Sequence, residues 1–259
     1  MNILRGKNLA DNMLQRVKTD ISNELSKPPV LLVVSSDETN PYFKGIMKDA
    51  ALCGVDAIHV SDPVLVPNWL DATTVNGIIS LEKNYEPPVE LNLDGGYTIP
   101  CTAEAIMCML HAYDIPISGQ DVCVIGRSDR VGRPVAKLML NEDATVTVMH
   151  SKTKDIRRHI EKADIVIACA GNAGFDESYQ VSSEATVADI GGDFKNPEKL
   201  GCKYLIPAIG GVGPLTRAFL MDHLCLKALL QRFNEKTKSL NLTTFEGGLD
   251  THIQPFKVL

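Results

Sequence analysis

The stretch Asp121-Val122-Cys123-Val124-Ile125-Gly126-Arg127-Ser128-Asp129-Arg130-Val131-Gly132-Arg133-Pro134 decides the fold. Its first five residues form a short apolar run that ends in Gly126, and Gly132-Arg133-Pro134 opens a helical pattern that runs to about Leu140. Strand, glycine turn and helix in that order form the opening unit of a dinucleotide-binding domain. There the backbone N–H groups of the turn and the helix N-terminus meet a pyrophosphate. The usual G-x-G-x-x-G is not intact, because Ser128 stands where the middle glycine would be. On spacing alone the residues also suit a tight turn without a ligand, and both readings stay open.

Working outward, Ala144 to Met149 reads as the next strand, and His150-Ser151-Lys152-Thr153 follows it. An NAD site usually carries Asp or Glu at that strand end to bond the ribose 2′-hydroxyl. Here a hydroxyl, a lysine and an imidazole stand there, and with Arg127 they would cradle a 2′-phosphate, which favours NADP over NAD. Ser151 or Thr153 could also cap the next helix. A helix near 154–162 and strands at 165–168 and 185–190 continue the alternation, which implies βαβ units and a parallel sheet. Ile206-Pro207-Ala208-Ile209-Gly210-Gly211-Val212-Gly213-Pro214-Leu215-Thr216 then forms a fixed loop before a last helix expected over 215–233. Its glycines would let backbone approach a flat ligand closely, and the loop would equally serve as a helix lead-in.

The first part of the chain reads as a helix over 7–26, a strand over 30–34, a helix from Pro41 to about Cys53 with Gly54 as cap, and strands at 57–60 and 75–79. Residues 81–100 read as irregular and 234–259 as a polar tail. The chain has 259 residues, a formal net charge of −6 and 44% apolar residues. That balance fits a soluble globular α/β protein and gives no electrostatic footprint for nucleic acid or an anionic membrane. No apolar run has the roughly 20 residues needed to span a bilayer, and residues 1–6 lack a signal-peptide core. The seven cysteines have no CxxC spacing and the six histidines no ligand spacing, so neither a disulfide framework nor a metal is expected. Cysteine in apolar runs fits buried thiols in a reducing cytoplasm.

Pro100-Cys101-Thr102, Gly126-Arg127-Ser128-x-x-Val131-Gly132-x-Pro134, His150-Ser151-Lys152-Thr153, the strand from Ala163 leading to Gly171, and Gly210-Gly211-Val212-Gly213-Pro214-Leu215-Thr216 stand in this order along the chain. Together these segments resemble the FolD family, the methylenetetrahydrofolate dehydrogenase/cyclohydrolases. The resemblance implies two domains around a cleft: a folate domain over 1–114, with the 215–233 helix returning to it, and a Rossmann domain with a doubly wound parallel sheet over 115–214. It implies a homodimer, hydride transfer from 5,10-methylenetetrahydrofolate to NADP, and hydrolysis of the methenyl product. Cofactor contacts carry over to Gly126, Arg127, Ser128, Val131, Gly132, Pro134, His150, Ser151, Gly171, Gly213 and Thr216. Substrate contacts carry over to Tyr42, Asp94, Gly211 and Pro214.

The sequence departs from the family where the hydrolytic chemistry lies. A catalytic lysine usually stands four residues after the tyrosine that matches Tyr42, and that position is Ile46. Lys44 and Lys48 lie roughly 160° and 120° around the helix from Tyr42. The family glutamine falls at Leu81, and Asn92-Leu93-Asp94-Gly95 is the remnant of the pterin-binding motif, equally an ordinary turn. Isoleucine neither donates a hydrogen bond nor moves a proton. The expectation is an NADP-dependent dehydrogenase with cyclohydrolase activity lost or weakened. The alternatives are action on a different substrate, a non-catalytic NADP-binding protein, or a bifunctional enzyme in which Lys44 or Lys48 takes the lysine's place.

Overall fold

The computed structural model describes residues 1–66, 75–81, 99–171, 174–176 and 178–239, the last four of these as backbone only. Asp94, nearly all of the 81–100 segment and the chain from 240 onward lie outside them. Two parallel sheets form among the described residues. The smaller has the order β3-β2-β4, with β2 at Val30–Val34, β3 at Asp56–Val60 and β4 at Gly77–Ser80. Buried Val-Leu-Leu-Val-Val forms its central strand, as expected of a strand covered on both faces. Helices α1 (Lys7–Glu24) and α2 (Pro41–Cys53) belong to this half. Asn40 caps α2 by accepting a hydrogen bond from the Tyr42 N–H at 2.8 Å, Pro41 opens it, and Gly54 closes it at φ 78°.

The larger sheet has six parallel strands in the order β1-β9-β8-β7-β5-β6. Strands β5 (Asp121–Ile125), β6 (Thr145–Met149), β7 (Ile165–Ala168) and β8 (Thr186–Asp189) fall where the sequence places them, with α4 at Gly132–Asn141 and α5 at Ile156–Ile160. From β5 the chain runs outward to β6 and then crosses to β7 on the other side, so the winding reverses between β5 and β7. Ligands of open α/β sheets sit at such a reversal, beyond the carboxyl ends of the strands.

Two short strands are not legible in the sequence. β9 (Tyr204–Ile206) lies beside β8, and β1 (Asn2–Ile3) beside β9. The expected 1–114 unit assigns Asn2–Ile3 to the first half, whereas the chain hydrogen-bonds them into the second sheet. Helix α3 (Cys101–Ala112) links the halves. The last helix, α6, spans Val212–Ser239, so it starts three residues before the expected 215 and runs through the first residues assigned to the tail. Polar Asn234 and Glu235 weaken the apolar periodicity there without ending the helix. α6 packs on α1, α2 and α3. No described helix is long and apolar enough to cross a membrane.

One continuous core runs from α1 and α2 through α3 and α6 to the α4 side of the large sheet. Ile106 of α3 is fully buried within it. Ile106→Ala is expected to cost about 2–5 kcal/mol, the range for a large-to-small change at a rigid core position. Urea denaturation of wild type and variant measures the difference.

Candidate functional site

The β5–α4 turn is built by close backbone approach. Gly126 adopts φ 130°, and a Cβ there would stand 2.8 Å from the Cys169 carbonyl oxygen at the end of β7. A Cβ on Gly132 would collide with the Gly126 carbonyl oxygen and lie 2.9 Å from the Arg127 nitrogen. Both glycines are therefore steric requirements of the turn. Ser128, in the place of the middle glycine, turns its hydroxyl back to accept from the N–H of Val131 at 3.2 Å and of Gly132 at 3.5 Å. A serine side chain thus caps the start of α4 and holds the turn in shape. Pro134 follows inside the first turn of α4, where its missing N–H costs nothing.

The register brings the expected phosphate-binding groups together. Ile125 pairs with Met149, so Arg127 and Ser151 leave neighbouring strands two residues further on. Arg127, Ser151 and Lys152 are all exposed there. The His150 N–H donates to Thr153 Oγ1 at 2.9 Å, and the Lys152 N–H donates to His150 Nδ1 at 3.2 Å. Thr153 therefore closes this turn and does not cap the next helix, which begins at Ile156 with Asp155 before it. The ring of His150 accepts at Nδ1, which leaves its proton on Nε2.

Across the winding reversal, Gly171 is exposed with open space around its Cβ position. The loop that carries it is held by Asp193, a buried residue that sequence reading missed. Asp193 Oδ2 accepts from the Ala170 N–H at 2.9 Å, and its carbonyl accepts from the N–H groups of Gly174 and Phe175 at 3.1 Å each. Asp189 in turn accepts from the Asp193 N–H at 2.7 Å. Burial pushes the Asp189 carboxyl above its usual range, against the hydrogen bonds it accepts. The whole of β8 is buried, Asp189 with it, and only the tertiary fold shows the aspartate ladder.

The glycine-rich loop before α6 divides into two roles. Gly211 is buried, and a Cβ there would collide with the Pro207 carbonyl oxygen, so chain packing alone requires a glycine here. Gly213, in the first turn of α6, has open space at its Cβ position, and Pro214 beside it is half-buried. The Thr216 hydroxyl donates back to the Val212 carbonyl at 3.2 Å and is buried, so its one proton is committed inside the helix.

On the other wall, α2 presents Tyr42, Gly45, Ile46 and Asp49 at helical spacing. Tyr42 is half-buried and Ile46 fully buried, while Lys44 and Lys48 are exposed on other faces. Leu81, at the carboxyl end of β4, packs half-buried against the same core as Ile46 and Tyr42. Arg217 of α6, which sequence reading did not single out, reaches α2. Its Nε donates to Asp49 Oδ2 at 2.7 Å, and its guanidinium carbon lies 5.8 Å from the centre of the Tyr42 ring. A lone charge among the buried apolar residues of Val212–Met221 is the signal that could have found it.

A second cluster joins α3 to α6. Cys101 Sγ lies 3.5 Å from His223 Nδ1, and His223 Nε2 lies 2.7 Å from Glu104 Oε2. The order thiol, imidazole, carboxylate resembles a nucleophile with its base, but Cys101 and His223 are both buried in the seam between helices, where the chain ties α3 to α6. The thiols elsewhere are kept neutral by burial: Cys169, beside the β5–α4 turn, is pushed up to about 12. Among the described residues all cysteines are free.

Asp189 gives a testable pH dependence. Its folded pKa lies above the unfolded value of 3.8, so between the two the folded state holds a proton that the unfolded state has lost. Its contribution to stability therefore falls as pH rises through that window. Asp189→Asn is expected to flatten this descending segment of the melting-temperature profile, measured by thermal unfolding from about pH 4 to about pH 7.

Residues 100–232 match the family model described as tetrahydrofolate dehydrogenase/cyclohydrolase, NAD(P)-binding domain. The bifunctional protein FolD of Bacillus velezensis is 32% identical, over 83% of this chain and 77% of that protein. The solved structure of the bifunctional FolD enzyme of Campylobacter jejuni superposes with a TM-score of 0.72 at 25% identity, covering 89% of this chain and 99% of that one. A 5,10-methylenetetrahydrofolate dehydrogenase of the silkworm Bombyx mori gives 0.72 at 26% identity, over 90% and 99%. With the glycine turn, the strand order and the α6 loop all in place, the chain belongs to the FolD family of tetrahydrofolate dehydrogenase/cyclohydrolases.

Proposed function

We propose that this protein oxidises 5,10-methylenetetrahydrofolate with NADP and has lost most or all cyclohydrolase activity. The observation that carries the reading is the contrast between the two walls. The β5–α4 turn keeps two sterically required glycines, Gly126 and Gly132, at the place of a dinucleotide cradle, and position 46 on α2 carries a fully buried isoleucine. NADP fits the donor set here: Arg127, Ser151 and Lys152, all exposed, offer cation and hydroxyl donors for a 2′-phosphate, beside a turn whose shape Gly126 and Gly132 make possible. Bound there, it supplies the hydride acceptor.

The chain's own residues then bind and orient. The turn between Gly126 and Val131, ahead of α4, would present its remaining backbone N–H groups to the pyrophosphate, those of Gly126, Val131 and Gly132 being bonded within the chain. Gly171 and Gly213 both have open space at their Cβ positions, which would admit close approach of a ligand. Tyr42 offers the flat wall for the pterin, and Pro214 the edge of the α6 entry. Hydride transfer depends chiefly on holding two rings in register, which these groups do without a proton donor. Hydrolysis of the methenyl product needs a group that manages a proton at the attacked carbon. Ile46 and Leu81 cannot supply one, and Lys44 and Lys48 project elsewhere. The silkworm relative is named for the dehydrogenase activity alone, which is compatible with this division. The same proposal includes folate in the half that holds β2, β3 and β4, NADP in the half around 115–214, and a homodimer in the cytoplasm, as in the family.

Spectrophotometric reduction of NADP with methylenetetrahydrofolate is expected, with methenyltetrahydrofolate decaying at the uncatalysed rate. Catalysed decay of the methenyl compound would refute the loss of cyclohydrolase. Binding of NADP without turnover of the folate would leave a different substrate or a non-catalytic role. Arg127→Ala is expected to lower the kcat/KM preference for NADP over NAD by about tenfold or more, the effect of removing one charge-assisted phosphate contact.

A further inference from the structure

We infer that Arg217 is the substrate-orienting cation of the folate site, donating from its Nη groups to acceptor atoms on the heterocyclic ring. The inference rests on the folate reading above and adds a binding residue to it. Three observations carry it. First, Arg217 follows Gly213 by four residues on α6, so it shares the helix face on which Gly213 meets open space. Second, its contacts fix the guanidinium without using it up. Nε is held by Asp49 at 2.7 Å and the group lies against the Tyr42 ring, while Nη1 and Nη2 make no hydrogen bond among the described residues. The side chain is only 20% exposed, so those donors are oriented in a largely desolvated place. Third, α2 is shaped to admit it: a Cβ on Gly45 would stand 2.6 Å from Arg217 Nε and 2.7 Å from its Cζ.

The chemistry is consistent with hydride transfer and not with hydrolysis. A guanidinium is permanently charged and planar, so it binds acceptors in a fixed plane and does not shuttle protons. Loss of hydride leaves the folate as a methenyl cation, which an isolated guanidinium would oppose. The Asp49 carboxylate, 9% exposed and paired with Arg217, offsets that charge. Arg217 thereby places a cation beside Tyr42 from a different helix than the one bearing Ile46.

Removing Arg217 leaves Asp49 without its partner and threatens the fold, so the deciding variant is Gly45→Ala. It displaces the guanidinium while placing a residue favoured in helix interiors. Initial rates of the full-length protein are measured with methylenetetrahydrofolate and NADP varied in turn, for wild type, Gly45→Ala and Arg217→Met. The expected result is a rise of about tenfold or more in folate KM, with NADP KM within about twofold of wild type. The rise should persist with a methylenetetrahydropteroate lacking the glutamate tail. Unchanged folate KM in both variants, or a rise confined to the glutamate-bearing substrate, overturns the assignment to the ring. Should wild type fail to reduce NADP, the dehydrogenase reading falls. Calorimetric tetrahydrofolate binding to wild type and Gly45→Ala then decides the role of Arg217 separately: weaker binding in the variant supports it, and equal binding or none overturns it.

Discussion

The seating of α6 across α1, α2 and α3 is the constraint on which the rest depends. The helix starts directly from the loop that leaves β9 of the large sheet, and it ends against the helices that cover the small one. Its buried face, including Val212, Leu215, Ala218, Phe219 and Leu224, supplies the apolar area. At roughly 25 cal/mol for each Å² removed from water, that face outweighs any polar tie the helix makes. The polar ties set its register instead. Arg16 meets Asp222 at 2.6 Å, Asn76 meets Gln231 at 2.6 Å, and Glu104 meets His223 at 2.7 Å. The Arg16 pair is half-exposed and contributes little energy. The Arg217–Asp49 pair is mostly buried, so it contributes specificity more than net stability, and losing one partner is costly.

Because α6 fixes the two halves, the carboxyl ends of both sheets serve the same molecule in different ways. The large sheet ends in glycines and hydroxyls, where backbone N–H groups stay available. The small sheet ends in Ser80-Leu81 and in the polar turn that feeds α2. Buried Asp189 and Asp193 stiffen the loop carrying Gly171, so the cofactor side is held by hydrogen bonds inside one sheet. The α2 side is held by an ion pair from outside its own sheet. The first arrangement is local to a βαβ unit, and the second exists only when α6 is docked.

That difference explains what the sequence disclosed. The β5–α4 turn, the polar end of β6 and the short buried runs of β7 and β8 were legible because each signal is contained in a few consecutive residues. The strands β1 and β9 were not, since two or three residues carry no periodicity and gain their identity from pairing with a distant segment. Thr153 was misread as a possible cap because a hydroxyl before a helix looks the same whether it closes a turn or caps it. Thr216 and Gly211 matched the family in letters, and only the fold shows the local roles they also have, the hydroxyl bonded to Val212 and the glycine packed on Pro207. Arg217 and His223 escaped notice because a polar residue on an amphipathic helix announces its partner only in three dimensions.

The α2 face shows why substitutions at such a site come as a set. A lysine at 46 would stand at a position that is fully buried here, and it would need a polar partner, which Leu81 is not. With Ile46 and Leu81 both apolar, neither leaves the other unsatisfied. A charge beside Tyr42 must then come from an element that can bring its own counter-ion contact. Arg217 does so from α6 through Asp49, and only because residue 45 lacks a side chain. Gly45, Ile46, Asp49 and Arg217 thus form one steric and electrostatic unit. A change at any one alters what the other three can hold, so a lysine placed at 46 alone would set a second cation against Arg217 with a single carboxylate to serve both.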